Sequence, residues 1–372
     1  TQRRFLVKDV KEVTKLENVS QVIDRLSTRK AQEQKHNVLS ELMTTIAAKL
    51  HLKLTQVVVL AIVLVGSLLA APASAASPNN PFAGKRLYVD PRSQAAAWAN
   101  AQLNPHWQEV GKIAATPQAI WISEFSGVKS QAPAVLADIA KKKAYPVFVI
   151  YAIPHRDCGG YSSGGVTPAQ YRAGIRQLAK VLSKTKAAII VEPDGLSSST
   201  CLSAKRRAER IKLIRFAATT LAKNKRHAVY LDIGHNAWLS PKTAASLLRR
   251  AGVAKTRGFS LNVSNFQHTS TEIRYGTKVS KLIGGKRFVI DTSRNGRGPL
   301  PDSEPQSWCN PHDRSLGQSP TARTASRRVD AYLWIKRPGE SDGPCRGGGV
   351  SGTWYNTRAV EMAKNRAADL RH

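Results

Sequence analysis

The chain has 372 residues and a formal net charge of +32, with 57 Lys and Arg residues against 25 Asp and Glu residues. A charge of this size attracts anionic surfaces such as nucleic acid, acidic wall polymers and phospholipid headgroups. The cations are scattered along the chain, however, and no recognised nucleic-acid-binding motif accompanies them. The sequence therefore argues against specific nucleic-acid recognition and predicts a solvated basic surface.

The front of the chain contains the pattern of a secretory signal peptide. Residues 1–42 are charged and polar, Met43 opens a basic stretch, and an apolar run from Val57 to Ala71 leads into the small residues Ala73-Ser74-Ala75. A basic flank, an apolar run of about 15 residues and an A-x-A site are typical of such a peptide. We expect a signal peptide at residues 43–75, cleaved after Ala75, and a secreted mature protein.

Two interpretations of residues 1–42 stay open. In the first, translation begins at Met43 and the preceding segment is an overextension of the gene prediction. In the second, the segment is a cytoplasmic tail ahead of an uncleaved anchor, because ~20 apolar residues can span a bilayer. The Pro and the small residues that end the apolar run favour cleavage, so no stable membrane span is expected in the mature protein.

Residues 76–372 have the length of a single α/β barrel and contain no Ser-, Pro- or Gly-rich linker to a second module. Apolar runs alternate with helical stretches such as Pro168–Thr185, Ala204–Asn224 and Pro241–Ala251. This alternation predicts βαβ units and a parallel sheet, and seven strands favour an α/β barrel over an open sheet. The predicted strands are Ala119–Ile122, Val147–Tyr151, Ala188–Val191, Ala228–Leu231, Gly258–Leu261, Phe288–Ile290 and Ala331–Ile335.

All four cysteines lie in the predicted mature part, and an even number of cysteines in an exported protein indicates disulfides. Three pairings are possible. Order and loop position favour Cys158–Cys201 and Cys309–Cys345, each joining two strand-end loops. No C-x-x-C or H-x-x-x-H spacing supports a zinc site, so no metal is expected.

Chemically active side chains follow the ends of six of the seven predicted strands. Asp157 follows the second strand, in VIYAIPHRDCGG, and Asp194 follows the third, in IIVEPDGL. Parallel strands of a barrel end at one face, and two carboxylates at such a face are what a glycosidase needs. Helix N-capping explains single Asp or Asn residues at strand ends, but not the whole set. The other candidates are Asp232, His235, Trp238, Asn262, Asn265, Asp291, Arg294, Asn295, Lys336, Glu340 and Asp342.

Two of these segments resemble the signatures of glycoside hydrolase family 6, the inverting cellulases. Val149–Gly165 is similar to the pattern V-x-Y-x-x-P-x-R-D-C followed by small residues, and Ile189–Asp194 to the pattern apolar-E-P-D. Gly195 departs from the second pattern, which has Ser, Ala or Leu there; this would affect loop flexibility more than proton transfer. Further matching blocks run in order to Cys345, so the resemblance covers essentially the whole predicted mature chain.

The resemblance implies a distorted seven-stranded parallel barrel that hydrolyses β-1,4-glucosidic bonds in cellulose with inversion. Asp194 would be the general acid, and Asp157 would tune it and relay the proton of the attacking water. The base is either Asp342 directly or a water chain ending at Asp157, while Ser163 and Tyr151 would hold the water and crowd the sugar. The residues expected to bind substrate are Trp121, Asp232, His235, Trp238, Asn262, Trp308, Lys336 and Glu340.

The resemblance implies no cofactor and no metal. Short connections, including Trp308–Ala331 and Gly339–Gly352, predict an open cleft and cleavage of internal bonds. A monomer is expected as the default for a secreted depolymerase. The competing interpretation is a non-catalytic surface protein that binds glucan or an acidic polymer. That interpretation predicts the loss of an acidic residue, yet Asp157, Asp194 and Asp342 are all present.

Overall fold

A computed structural model of the chain describes residues 79–101, 105–301 and 303–369, together with scattered positions between 32 and 47. The chain divides into two units, Thr1–Pro72 and Ala73–His372, and the described positions of the first unit are helical. Apart from a few of those positions, the predicted signal peptide and its cleavage site lie outside the described residues. Within the described part, no helix has the length and apolar character needed to cross a membrane.

Seven strands form one sheet, in which each strand pairs in parallel with the next along the chain. Strand order therefore equals sequence order, as in an α/β barrel. This confirms the predicted fold class, and the observed strand ends differ from the predicted ones by no more than two residues. The strands are β1 (Ile120–Ile122), β2 (Val147–Ile150), β3 (Ala187–Val191), β4 (His227–Asp232), β5 (Gly258–Leu261), β6 (Arg287–Asp291) and β7 (Val329–Leu333).

Eight α-helices are described in this unit. Three of them begin where the sequence predicts, because the side chains of Thr167, Ser203 and Ser240 cap their first backbone N–H groups. The helices are α1 (Gln94–Ala99), α2 (Trp107–Ala114), α3 (Val128–Lys141), α4 (Pro168–Val181), α5 (Ala204–Ala222), α6 (Pro241–Arg250), α7 (Thr269–Leu282) and α8 (Asn356–Asp369).

Alternate residues of the strands face two different cores. Val149 and Ile190 belong to the core inside the barrel. Their sequence neighbours, such as Ile189, pack against the apolar faces of the helices in a second, larger core. Because both sides of the sheet are covered, the strands appear in the sequence as continuous apolar runs. The same alternation turns Asp232 and Asp291, the last residues of β4 and β6, towards the inner side.

The barrel has an open seam between its first and last strands. β1 and β7 are the two edges of the sheet, and no ladder joins them in the described part of the chain. They are linked instead by a hydrogen bond from the Ala119 N–H to the Trp334 oxygen, at 3.0 Å. The Trp121 indole Nε1 donates a second one to the Ile335 oxygen, at 2.8 Å. The distortion expected of this barrel takes the form of this seam.

Asp330 is the extra residue at a shift in register between β6 and β7. Its buried carboxylate accepts two hydrogen bonds from the Arg257 guanidinium, both at 2.7 Å. It accepts a third from the Tyr230 hydroxyl, also at 2.7 Å. The bulge therefore places a negative charge where it satisfies a hydroxyl of β4 and the guanidinium that directly precedes β5.

Replacing Asp330 by Asn should lower the free energy of unfolding by about 3 kcal/mol, because it leaves a largely buried guanidinium without its counter-charge. Urea unfolding followed by Trp fluorescence measures the change. The matched control is Asp313→Asn, which removes the negative charge of an exposed ion pair with Arg297. That control should cost less than about 1 kcal/mol. Equal losses in the two variants would contradict the assignment.

Candidate functional site

The connections that follow the strands hold nearly all of the unusual backbone conformations. Twelve non-glycine residues in the described structure have positive φ angles, and all except Lys143 lie in a connection that follows the carboxyl end of a strand. Such angles are costly for residues with a Cβ and collect at functional sites. We call the face formed by these connections the strand-end face. The eleven residues are His155, Asp157, Cys158, Glu192, Asp194, Asn262, Ser264, Gln306, Asn310, Asp313 and Arg346.

Three buried carboxylates, Glu192, Asp232 and Asp291, tie neighbouring connections together at this face. We call them the clamp carboxylates. Glu192 follows β3 directly and accepts hydrogen bonds from the backbone N–H groups of Ala152 (3.2 and 3.1 Å) and Ile153 (3.1 Å), which follow β2. Burial raises the pKa of Glu192 to about 7, against the opposing effect of these donors.

Asp232, at the end of β4, accepts hydrogen bonds from three donors. They are the backbone N–H of Asp194 (2.9 Å), the backbone N–H of Gly234 (3.0 Å) and the hydroxyl of Ser260 (3.0 Å). Burial raises the pKa of Asp232 to about 7, although these donors stabilise its charged form. The carboxylate thereby joins the ends of β3, β4 and β5.

Asp291, at the end of β6, accepts four backbone N–H groups from three connections. The donors are Ser264 (3.1 Å) after β5, Ser293 (2.9 Å) after β6, and Ile335 (3.3 Å) and Lys336 (2.8 Å) after β7. Burial raises the pKa of Asp291, and the N–H donors oppose that rise. Because the donors come from both neighbouring strands, this carboxylate fixes the relative positions of three loops.

Asp194, the predicted general acid, lies beside Asp232, and its Oδ1 is buried without a hydrogen-bond partner in the described structure. Burial raises the pKa of Asp194 well above its usual range, and the charges of Asp232 and Asp157 raise it further, while Lys336 opposes them. Asp232 has three donors, whereas no described donor reaches the Asp194 carboxyl. A proton shared by this pair therefore resides on Asp194.

Asp157 starts a short turn after β2, and its Oδ2 accepts the backbone N–H of Ser162 at 2.7 Å. The preceding Arg156 donates from Nη1 to the Tyr151 oxygen at 2.6 Å, and its guanidinium lies 4.7 Å from the centre of the Tyr151 ring. Ser163 is exposed in the same turn. Arg156 thus connects Tyr151 to the turn that contains Asp157 and Ser163, and the roles of these three residues stay predictions.

Both favoured disulfides are present. Cys158–Cys201 joins the connections that follow β2 and β3, and Cys309–Cys345 joins those that follow β6 and β7. Each disulfide therefore fixes two adjacent connections of the strand-end face. Among the described residues, no group of three or more His, Cys, Asp or Glu side chains is arranged to hold a metal ion.

Asp342, one of the two predicted bases, is buried between cations. Its Oδ2 lies 2.7 Å from Nη1 of Arg294 and accepts the backbone N–H of Asn310 at 3.1 Å. Its Oδ1 lies 3.3 Å from Nζ of Lys336. Burial alone would raise the pKa of Asp342, but Arg294 and Lys336 outweigh burial and lower it. Both oxygens are engaged, and the carboxylate stays charged.

Aromatic side chains are exposed at two places on the strand-end face. Trp238 is 41 % exposed and its ring lies 5.1 Å from that of His235; Trp308 is 46 % exposed and lies 6.0 Å from Tyr161. Trp121 is half-buried at the seam. Exposed aromatic faces of this kind can stack on the apolar faces of sugar rings.

Four predicted substrate-binding residues are buried and engaged within the protein: Asp232 and Lys336 through the contacts given above, and Asn262 and Glu340 through those that follow. Asn262 is fully buried, donates to the backbone oxygen at the end of β6 (2.9 Å) and accepts the N–H of Gln267 (3.0 Å). Glu340 is buried, accepts from Gln94 at 2.8 Å and lies 2.8 Å from Nε of Arg337. These contacts hold connections in place, and substrate contact by any of the four residues stays a prediction.

The sequence analysis missed Glu272, which is fully buried in the first turn of α7. Its Oε1 accepts the backbone N–H of Asn236 (3.0 Å), within the loop that carries His235 and Trp238. Burial raises the pKa of Glu272 to about 8, and the charge of Asp232 adds to the effect. The sequence offers no signal for this role, because an acidic residue in the first turn of a helix is ordinary.

Comparison with known proteins gives a consistent result. The sequence profile described as Glycosyl hydrolases family 6 matches residues 82–366. Endoglucanase A of Cellulomonas fimi is 40% identical over 284 residues, covering 75% of this chain and 61% of the relative. Endoglucanase A of Thermobispora bispora is 40% identical over 316 residues, covering 82% of this chain and 67% of the relative. The chain thus spans about three fifths of the length of the C. fimi relative.

Solved structures agree with these matches. The endoglucanase Cel6 from Mycobacterium tuberculosis, in complex with methyl-cellobiosyl-4-deoxy-4-thio-β-D-cellobioside, superposes with a TM-score of 0.74 at 47% identity. The match covers 77% of this chain and 99% of that one. The catalytic core of the cellobiohydrolase Cel6A from Chaetomium thermophilum has a TM-score of 0.70 at 24% identity. The match covers 78% of this chain and 99% of that one, and it supports the fold alone.

Replacing Glu272 by Gln should remove one pH-dependent loss of stability. Its pKa of about 8 exceeds the ordinary 4.5, so the wild type loses stability as pH rises from about 5 to 8, while a neutral amide does not titrate. We expect equal stabilities at pH 5 and a gain of about 3 kcal/mol for the variant at pH 8, measured by urea unfolding. Exposed Glu209→Gln is the control, and parallel pH profiles for wild type and Glu272→Gln would contradict the expectation.

Proposed function

Because the chain belongs to family 6 of the glycosyl hydrolases, we propose that it hydrolyses internal β-1,4-glucosidic bonds of cellulose or a related β-glucan with inversion. The observation that carries this proposal is the buried Asp194 carboxyl, next to the hydrogen-bonded Asp232, on a face lined with exposed Trp side chains. Such a pair keeps one carboxyl protonated and the other charged, as acid catalysis of glycoside cleavage requires.

In the proposed reaction, Asp194 protonates the leaving glycosidic oxygen. Its raised pKa keeps the proton available at neutral pH, and no described hydrogen-bond donor stabilises the charged form of its Oδ1. Water attacks the anomeric carbon from the opposite side of the sugar ring, and inverting enzymes leave about 6.5–9.5 Å between the two carboxyl groups for that water.

The contacts of Asp342 favour a water relay to Asp157 over direct proton transfer to Asp342. Both oxygens of Asp342 face cations, and its lowered pKa makes it a weak base. The Asp157 carboxylate has one described hydrogen bond, from the Ser162 N–H. We assign Asp342 to holding Arg294 and Lys336, and Asp157, with Ser163 and Tyr151 beside it, to the proton of the attacking water.

The exposed Trp238 and Trp308 are proposed to stack on glucose rings, and the half-buried Trp121 to border the same groove. Lys336, His235 and Asp232 are proposed to contact sugar hydroxyls. Endo action is supported by the short connections and by the relatives: four proteins named endoglucanases are 37–40% identical to this chain, whereas three named cellobiohydrolases or exoglucanases are 26–28% identical.

We also propose the domain organisation and location predicted from the sequence. Residues 43–75 would be a cleaved signal peptide, residues 76–372 the secreted catalytic domain and residues 1–42 a segment outside it. The two disulfides suit an oxidising, extracellular environment. A monomer is proposed because one chain supplies the whole site.

The reaction is tested by proton NMR of cellopentaose with the purified protein. We expect the α-anomer to form first, because inversion at a β-linkage produces it. Asp194→Asn should lower the rate about 10³-fold with the fold intact, since the leaving group loses its acid. Early β-anomer would reject inversion, and no hydrolysis would reject the activity. On a long soluble β-glucan, a rapid fall in viscosity before much reducing sugar appears would support internal cleavage.

Replacing Asp232 by Asn should shift the high-pH limb of the pH profile of kcat/KM to lower pH. The wild-type limb reflects loss of the Asp194 proton, and removing a neighbouring negative charge lowers the pKa of Asp194 by about one unit. Asn keeps an acceptor for the Asp194 N–H. Asp90→Asn, a change of equal charge beyond the strand-end face, should leave the limb in place. A limb that stays unmoved in Asp232→Asn would contradict the role of the pair.

A further inference from the structure

The outer surface of residues 168–287, formed by helices α4 to α7 and the turns between them, carries most of the positive charge of residues 76–372. We call it the basic wall. Residues 168–287 contain 24 Lys and Arg against five Asp and Glu, whereas residues 76–167 and 288–372 together contain 22 against 14. The charge is therefore concentrated on one part of the barrel.

Exposure increases this asymmetry. Eighteen of the 24 cations are exposed, while the sole exposed carboxylate among residues 168–287 is Glu209. The other four acids are the site carboxylates already described, and none of them is exposed. To an anion approaching from outside the helices, the basic wall is almost uniformly positive.

Few of these cations are neutralised by the protein itself. In residues 168–287 the described ion pairs comprise only that of Arg257 with Asp330. Arg172 and Arg176 lie 5.2 and 5.4 Å from the centre of the Phe216 ring, which joins α4 to α5 without removing charge. Like charges at this density repel one another and destabilise the folded state. The wall therefore does not stabilise the fold, and its charge does not attract a neutral glucan.

The basic wall offers charge with hardly any apolar or aromatic surface. The exposed large apolar side chains of this segment are Trp238, at the strand-end face, and Leu282. Membrane-surface helices add apolar groups that insert into the bilayer, and single-strand nucleic-acid sites add aromatic platforms. Duplex DNA is stiff over about 150 base pairs, so bending it along a curved surface costs free energy, whereas a flexible chain bends readily. A flexible, hydrophilic polyanion fits these properties.

We propose that the basic wall binds a carboxylate-bearing polysaccharide and so holds the enzyme on an acidic matrix. The carboxylates of the polymer pair with exposed Lys and Arg along α4 to α7, while the strand-end face stays open to glucan. Because the wall lies outside the cleft, this binding does not depend on the proposed hydrolysis and can be measured without it.

The test is binding of the full chain to immobilised polygalacturonate, followed by biolayer interferometry. A wall variant and a matched control each replace six exposed cations by Gln, so both lose the same charge. We expect the wall variant to bind about 30-fold more weakly and the control less than about threefold. The wall positions are Lys180, Lys184, Lys205, Arg206, Lys212 and Lys223, and the control positions are Lys85, Lys112, Lys129, Lys141, Arg323 and Arg327.

Thermal melting and hydrolysis of a neutral soluble glucan check that both variants fold. Raising salt from about 50 to 300 mM should weaken wild-type binding at least tenfold, because exposed charges are screened. Equal losses in the two variants would attribute binding to net charge and overturn the proposal. The proposal would also be overturned if the wild type did not bind polygalacturonate, or if it bound duplex DNA or phosphatidylglycerol vesicles more tightly than polygalacturonate.

Discussion

The backbone N–H groups at the strand ends lie in a buried region and need hydrogen-bond acceptors there, and the clamp carboxylates meet that requirement. Glu192 takes the N–H groups that follow β2, Asp232 takes one that follows β3 and binds a hydroxyl of β5, and Asp291 takes those that follow β5 and β7. An unbroken series of contacts thus runs from β2 to β7. The geometry of the strand-end face depends on it, because the connections themselves contain little regular structure.

The same burial that makes these contacts strong also decides where the proton resides. Three donors favour the charged form of Asp232, and burial together with that charge raises the pKa of the neighbouring Asp194. One hydrogen bond, from the Asp194 N–H to Asp232, therefore links loop position to acid strength. A loop shift that broke this bond would change the chemistry as well as the shape. Structure and reactivity share one set of interactions here.

The fold could be predicted from the sequence because a parallel barrel covered on both sides leaves continuous apolar runs, and the caps Thr167, Ser203 and Ser240 mark three helix starts. The strand-end acids could be predicted for the same topological reason. The role of each individual side chain, however, could not be predicted from the sequence. Asn262 follows a strand as a binding residue would, yet its amide is used internally. Glu272 lies on a helix, and its burial under the next loop depends on contacts distant in sequence.

The positive φ angles of the strand-end face constrain how this protein can become more stable. Each strained residue forgoes on the order of 1 kcal/mol that glycine would recover. At Asp157 and Asp194 glycine would also delete the proposed catalytic carboxyl, so selection for activity preserves the strain. Lys143 has the same backbone conformation with an exposed side chain away from the face. Selection for heat tolerance can therefore act at such outlying positions, whereas at Asp157 and Asp194 the backbone strain and the proposed catalytic carboxyl are retained together.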